Sequence, residues 1–286
     1  MYNICSLQKE HQSHGYLIVE PFDRYLIAHP NLHIAHRHSF YHIVLFTAGA
    51  GRHTIDFEQF DVHPGQIYFM RPGQVHGWAF EGKMDGYIIN FSAEIFNEFL
   101  TDSSFPDQFY FFRGIASQSV IQLNEETAEQ AKSIMKAILK ESEHQLGFTN
   151  EMICTQLISL FISISRCATP LQENKIPLHN QLVLQNFSKL VEQYFTEKRL
   201  PKEYAAMLYI TANHLNALCQ DLVGKSAGTI IRDRILLEAK RLLINAQMPI
   251  AEIADQLNFT DNSYFTKFFK KHTFQTPEEF RKSSFA

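Results

Sequence analysis

The sequence predicts an α+β protein of two domains: an N-terminal β-rich module with a following helix pair, then an all-α C-terminal domain. Three observations predict it. From about Leu17 to Phe91, short apolar runs rich in aromatic and β-branched residues alternate with Gly and Pro punctuation. Beyond residue 125 the apolar residues recur at helical spacing. Two C-terminal stretches, 205–226 and 253–276, repeat one another at a separation of about 50 residues.

Composition supports two folded units. With 286 residues, 45% of them hydrophobic, the chain can build two cores at the usual ~100–200 residues per domain. Cys5, Cys154, Cys167 and Cys219 are scattered and form no CxxC pair, which argues against a structural zinc knuckle and a disulfide framework. They read as reduced thiols of a cytoplasmic protein. The N-terminus has no basic start followed by an apolar run, and LISLFISIS falls far short of the roughly 18–20 residues that cross a bilayer. The expectation is a soluble, non-exported protein without a membrane partner. The net charge of −4 is uneven: residues 1–180 carry 12 Lys+Arg against 19 Asp+Glu, and residues 181–286 carry 14 against 11. The C-terminal part is the one suited to a polyanion.

In order along the chain, YLIA, FYHIVLFTAG, RHTIDF, QIYFM and GYIINF are the candidate strands of a small β-sandwich or barrel over about residues 15–92. Gly49, Gly51, Pro64-Gly65, Pro72-Gly73, Gly82 and Gly86 punctuate them. Ala128, Ala131, Met135, Ile138 and Leu139 form one stripe of a helix over 125–145, and a second helix follows over about 150–167. That helix is rich in Ile, Leu and Phe, so a contact with a second copy of the chain and packing on the β module are both open. Residues 168–181 are polar, hold two prolines and read as a linker.

HIAHRHSFYH, residues 33–42, places His36, His38, Phe40 and His42 on one face of a strand by alternation, with His33 on the other. His76 follows downstream. By ligand type, His36, His38, His42 and His76 suit Zn²⁺, Ni²⁺, Cu²⁺ or Fe²⁺. Alternatively the same groups hydrogen-bond an anionic or hydroxylated small molecule, with Trp78, Phe40, Tyr41 and Arg71 supplying wall and charge. In a third reading they are satisfied internally. His33, His53 and His63 are expected to stand apart.

Each C-terminal repeat runs from a short Ala-containing helix ending at Leu208 or Leu257, through a turn, to Thr211 or Thr260 at the position of a helix N-cap. Asn258 suits the left-handed turn of a helix-turn-helix. The next helix buries Leu215, Leu218, Cys219 and Leu222 in one copy and Phe265, Phe268 and Phe269 in the other. That leaves Asn213, His214, Asn216 and Gln220 outward in the first, and Asn262, Ser263, Thr266, Lys267 and Lys270 in the second, able to reach base edges or phosphates.

LLEAKRLLINAQMPIAEIADQLNFTDNSYFTKFFKKHTFQTPEEFRK closely resembles the signature of the AraC/XylS family of bacterial transcription regulators, a similarity covering roughly residues 185–283. The resemblance implies a DNA-binding domain over 182–286, with two helix-turn-helix units joined by a long helix at about Ala227 to Ala246. It implies base-reading roles for the outward residues, with Lys267, Lys270 and Lys271 as phosphate partners. Two positions depart from the family: Ala217 replaces a long polar or basic side chain, and Phe274 replaces the usual Gly.

Residues 1–167 then become a sensor and dimerisation domain similar to the cupin-like barrel of this family. His36-x-His38-x3-His42-x6-Gly49 is similar to the first cupin motif with His for Glu, and Gly65-x6-Pro72-Gly73-x2-His76 to the second. The implied partners are double-stranded DNA, a small-molecule effector, a second copy of the chain and RNA polymerase. No catalytic residue is implied, and a divalent transition metal in the barrel stays open. The competing functions are a metal-dependent cupin enzyme and a regulator without effector.

Overall fold

The computed structural model describes residues 16–30, 34–97, 100, 105–144, 146–168, 177–245 and 247–284. The chain divides into two compact units, Met1–Gln172 and Glu173–Ala286.

In the first unit an antiparallel sheet is built from β1 (Leu17–Pro21), β2 (His36–Arg37), β3 (Tyr41–Ile55), β4 (Glu58–Val62), β5 (Gln66–Met70), β6 (Val75–Phe91) and β7 (Val120–Gln122). The order is β1-β6-β3-β5-β7, with β2 on β6 and β4 on β3. β3 and β6 are the long central pair, matched from Tyr41↔Phe91 to Ile55↔His76. Alternation sorts their residues into two cores. Ile43 and Leu45 join Ile67, Phe69, Ile89 and Phe91 under α2 (Glu125–His144) and α3 (Thr149–Ala168). Val44 and Phe46 join Tyr68, Met70, Trp78 and Ile88 on the opposite face.

Two expectations for this unit are corrected. YLIA is no strand: it closes helix α1 (Phe22–Ala28), which starts after Pro21 with Asp23 in its first turn. Phe22 and Tyr25, three apart, are its buried residues, so the run follows helical and not alternating spacing. FYHIVLFTAG and RHTIDF are one strand and not two, because the register shifts between Phe46 and Ala50 are bulges instead of a turn. A Cβ at Gly51 (φ +141°) would stand 2.5 Å from the Ala79 carbonyl oxygen, so Gly is what lets the strands approach there.

The second unit contains α4 (Leu178–Tyr194), α5 (Pro201–Met207), α6 (Ala212–Val223), α7 (Ala227–Leu243), α8 (Ile250–Gln256), α9 (Asn262–Thr273) and α10 (Pro277–Ser283). Residues 169–176 of the expected linker lie outside the described residues, as do Cys5, His33 and Ala246. Residues 178–181 are helical and not linker: Pro177 (φ −52°) stands at the N-cap of α4, its ring holding φ near the value a helix start needs. One core serves both repeats, since Leu215 and Cys219 of α6 and Phe265 and Phe269 of α9 share a cluster with Ile231, Ala239 and Leu243 of α7. The two helix-turn-helix units are therefore halves of one packed body, joined through α7.

Candidate functional sites

In the first unit the histidines meet inside the sheet. β2 lies on β6 with His36 opposite His76. The Nε2 atoms of His38 and His76 are 2.7 Å apart, and the His36 and His76 rings are 4.4 Å apart between centroids. His42 donates from Nδ1 to Asn90 Oδ1 at 2.7 Å, and Asn90 in turn donates to the Tyr25 hydroxyl. His36 donates from Nδ1 to the Ile34 carbonyl at 2.7 Å. Both bonds select the tautomer whose Nε2 carries a lone pair.

His53 belongs to this cluster, against the expectation that it stands apart. Its Nε2 is 3.1 Å from His76 Nδ1, it is fully buried, and it pairs across strands with Trp78. The bulges in β3 explain the miss. Strict alternation from His42 would send His53 to the other face, and the register shifts between Phe46 and Ala50 restore it. His63 is exposed on the surface, as expected.

Phe40 stacks on His38 at 4.3 Å, and Trp78 lies 5.1 Å from His76 and 5.8 Å from His42 between ring centroids. Tyr41 points away from the cluster. It stacks on Phe91 and donates to Asp107 on the helix-covered face, which alternation from His42 dictates. Arg71 follows β5, where its stem passes close to Gly114.

Burial dominates the electrostatics. Desolvation pushes His38, His53 and His76 well below the ordinary imidazole range and takes His42 to about 3, with the neighbouring imidazoles adding to the effect. These side chains are neutral at pH 7. His42 Nε2, His53 Nδ1 and Trp78 Nε1 are buried without a hydrogen-bond partner among the described residues. Such atoms each cost roughly 1–3 kcal/mol, so the cluster holds unspent polar capacity suited to a bound group.

In the second unit each repeat has the expected helix-turn-helix form. Tyr209 (φ +56°) and Asn258 (φ +55°) take the left-handed turn conformation. Thr211 caps α6, accepting from the His214 N–H. The expected cap at Thr260 is corrected: Asp261 caps α9, accepting from the Tyr264 N–H at 2.7 Å. The turn in the second copy is one residue longer, and a carboxylate is at least as good an acceptor there as a hydroxyl. At the far end of each helix, Gly224 (φ +71°) and Phe274 (φ +63°) take the same left-handed cap. Phe274 therefore keeps the geometry of the glycine it replaces while carrying an exposed ring.

Asn213, His214 and Gln220 on α6 are exposed, as are Asn262, Ser263, Lys267, Lys270 and Lys271 on α9. Thr266 is half-buried. Asn216 departs from its expected outward role. It is half-buried, and its Oδ1 accepts from the Ala227 N–H at the start of α7. That bond satisfies one of the four N–H groups a helix start leaves open. Sequence reading also missed Arg199, which precedes α5 and whose guanidinium lies 3.9 Å from the centre of the Phe259 ring. Its side chain bonds the carbonyl of Leu257, 58 residues away, a separation no local spacing reveals.

Two domain families match the chain. Residues 24–162, which contain all five clustered histidines, match the AraC-like ligand binding domain, and residues 204–283 match a helix-turn-helix domain. The transcriptional activator RhaR of Mannheimia succiniciproducens is 24% identical over 246 residues, 86% of each chain. The transcriptional activator RhaS of Klebsiella pneumoniae is 21% identical over 259 residues, again 86% of each. Among solved structures, ToxT from Vibrio cholerae O395 is 12% identical over 93% of this chain and 95% of that one, with a TM-score of 0.45.

Proposed function

The chain belongs to the AraC family of transcription regulators, with an N-terminal ligand-binding domain and a C-terminal helix-turn-helix DNA-binding domain, and on that premise we propose that an effector held by the histidine cluster controls how a homodimer engages two half-sites on duplex DNA. The observation that carries the proposal is the cluster itself: the buried imidazoles of His38, His42, His53 and His76, with Trp78 and the half-buried His36 against them in the ligand-binding domain, and polar atoms left over. An effector shifts the equilibrium only by binding the DNA-competent arrangement with a different affinity from the other. The protein works in the cytoplasm, where DNA and RNA polymerase are its partners. No described helix is long and apolar enough to cross a membrane.

On the DNA side, α6 presents Asn213, His214 and Gln220, and α9 presents Asn262, Ser263, Thr266 and Lys267, to successive major grooves. Lys270 and Lys271 neutralise phosphates. Amide and hydroxyl side chains suit base edges, and the ammonium groups suit the backbone. Replacing Thr266 and Lys267 together with Ala tests this. Binding to a cognate duplex should weaken far more than binding to random duplex, and equal loss on both would leave only phosphate contact.

A metal is the second reading of the cluster, and the residues fit one. His36, His38 and His76 offer ring nitrogens that all lie within 4.8 Å of one another. The Nδ1 bonds of His36 to Ile34 and of His76 to His53 are the kind of outer support that turns an imidazole's Nε2 toward an ion. A divalent transition ion bound there would supply a Lewis-acidic charge with an open coordination position. His42, expected in the ligand set, is not among the three whose ring nitrogens come that close. In a metal-dependent enzyme the duplicated helix-turn-helix would have no role, so the ion is read as effector or as part of the effector site.

A further inference from the structure

We propose that Arg199 is a positioning residue for DNA recognition, fixing the second helix-turn-helix unit against the first so that α6 and α9 keep the separation of two successive major grooves. This rests on the two-groove reading above. The main chain of Arg199 is held by the first helix-turn-helix: its N–H donates to Glu203 Oε2 at 3.0 Å, and the next N–H, of Leu200, donates to the same oxygen at 2.8 Å. Glu203 stands in the first turn of α5. Tyr204 of α5 donates its hydroxyl to the Lys198 carbonyl at 2.8 Å, pinning the residue on the other side.

The side chain belongs to the second helix-turn-helix. Its Nη2 donates to the Leu257 carbonyl at 2.6 Å and to the Asn258 carbonyl at 2.9 Å, and the guanidinium covers the Phe259 ring. Leu257 and Asn258 end α8 and make the turn into α9. Their carbonyls lack the donors a continuing helix would give them, and a charged fork meets that need. The turn of the second helix-turn-helix is thus tied to the segment that leads into the first helix of the first.

This tie is separate from the other link between the units. That link runs through α7, which at ~1.5 Å per residue is about 25 Å long, and through Arg281, which donates to the Leu243 and Met248 carbonyls at its end. The shared core sets how closely the units pack. Arg199 holds the turn that leads into α9, and DNA that presents two grooves about one helical turn apart tolerates little rotation of that helix.

The test uses full-length protein and duplexes enriched from a random library by the wild type. Each chosen duplex is also made with one, two or three base pairs inserted between its two contacted segments. Wild type should lose affinity sharply with insertion. Arg199→Ala should bind the parent duplex about tenfold more weakly, which is about 1.4 kcal/mol, and should lose much of its preference for the parent spacing. Arg199→Lys should behave like Ala, because an ammonium keeps the charge but not the flat fork. Recovery by Arg199→Lys with equal losses on random duplex would make Arg199 a phosphate contact and overturn the proposal, as would an unchanged spacing preference. If Arg199→Ala does not fold, Phe259→Leu decides: it keeps an apolar side chain in the core, removes the ring beneath the guanidinium, and should shift the spacing preference in the same direction. A fixed preference in Phe259→Leu would then overturn the proposal. Failure of the two-groove reading shows differently, as a wild-type protein that enriches no bipartite site.

Discussion

His38 and His76 face one another through their Nε2 atoms at 2.7 Å inside the sheet. Only one of the two can carry the shared proton, and His76 repeats the constraint on its other side with His53 at 3.1 Å. The chain His38–His76–His53 is thus a run of hydrogen-bonded imidazoles that burial, above all, keeps neutral.

A pH dependence follows from this. Folding lowers the pKa of His38, His42, His53 and His76, so unfolding takes up protons below the unfolded value of ~6.5. The contribution to stability is complete above pH 6.5 and is lost as pH falls toward the depressed folded values, reaching about 5 kcal/mol per pH unit when four protons are taken up. Calorimetry of the metal-free protein between pH 7 and pH 5 should show the transition of the first unit falling steeply, with uptake of about four protons. Uptake of one or none would contradict the buried neutral cluster.

The same cluster predicts metal binding with a defined ligand set. Co²⁺ added to the chelator-treated full-length protein should give one equivalent of bound ion with a visible ligand-field spectrum, and Zn²⁺ should raise the melting temperature of the first unit. His36→Ala and His76→Ala should abolish both effects, while His42→Gln should keep most of the binding because His42 is not one of the three histidines whose ring nitrogens lie within 4.8 Å of one another. A spectrum unchanged by His76→Ala would place the ion elsewhere.

The shifted cap of the second repeat makes a paired prediction. Asp261→Ala removes the acceptor of the Tyr264 N–H and should cost about 1 kcal/mol of stability. Thr260→Ala should cost a few tenths at most, since Thr260 is exposed and is not the cap. Chemical denaturation of the two variants separates them, and an equal cost would contradict the capping geometry.

Asn216 and Asn213 should part company. Asn216→Ala leaves the Ala227 N–H without its partner and should destabilise the second unit by about 1–2 kcal/mol, while leaving sequence preference intact. Asn213→Ala, at an exposed position, should leave stability within about 0.5 kcal/mol and lower affinity for a cognate duplex. Melting and binding measured on both variants check the assignment.

Much of this was legible in the sequence because its signals are local. The repeat at 205–226 and 253–276, the left-handed Asn258 and the Thr211 cap are all set by neighbours a few residues away. What was not legible depends on distance or on a broken period. Parity along β3 misassigned His53, because bulges with no reliable sequence mark reset the alternation. YLIA carries apolar residues that suit either period, and its helical state is decided by packing of Phe22 and Tyr25 on the sheet. Arg199 and Asn216 were invisible as structural residues because their partners lie in other elements.

The central claim is that this chain reads DNA with two helices on one packed body. The most direct measurement is sequencing of random duplexes bound by the full-length protein, with and without Zn²⁺. The account predicts an enriched motif in which two contacted segments lie about 10–10.5 base pairs apart, repeated for the second copy of the chain and changed in affinity by the ion. Absence of any enriched motif under both conditions would contradict it.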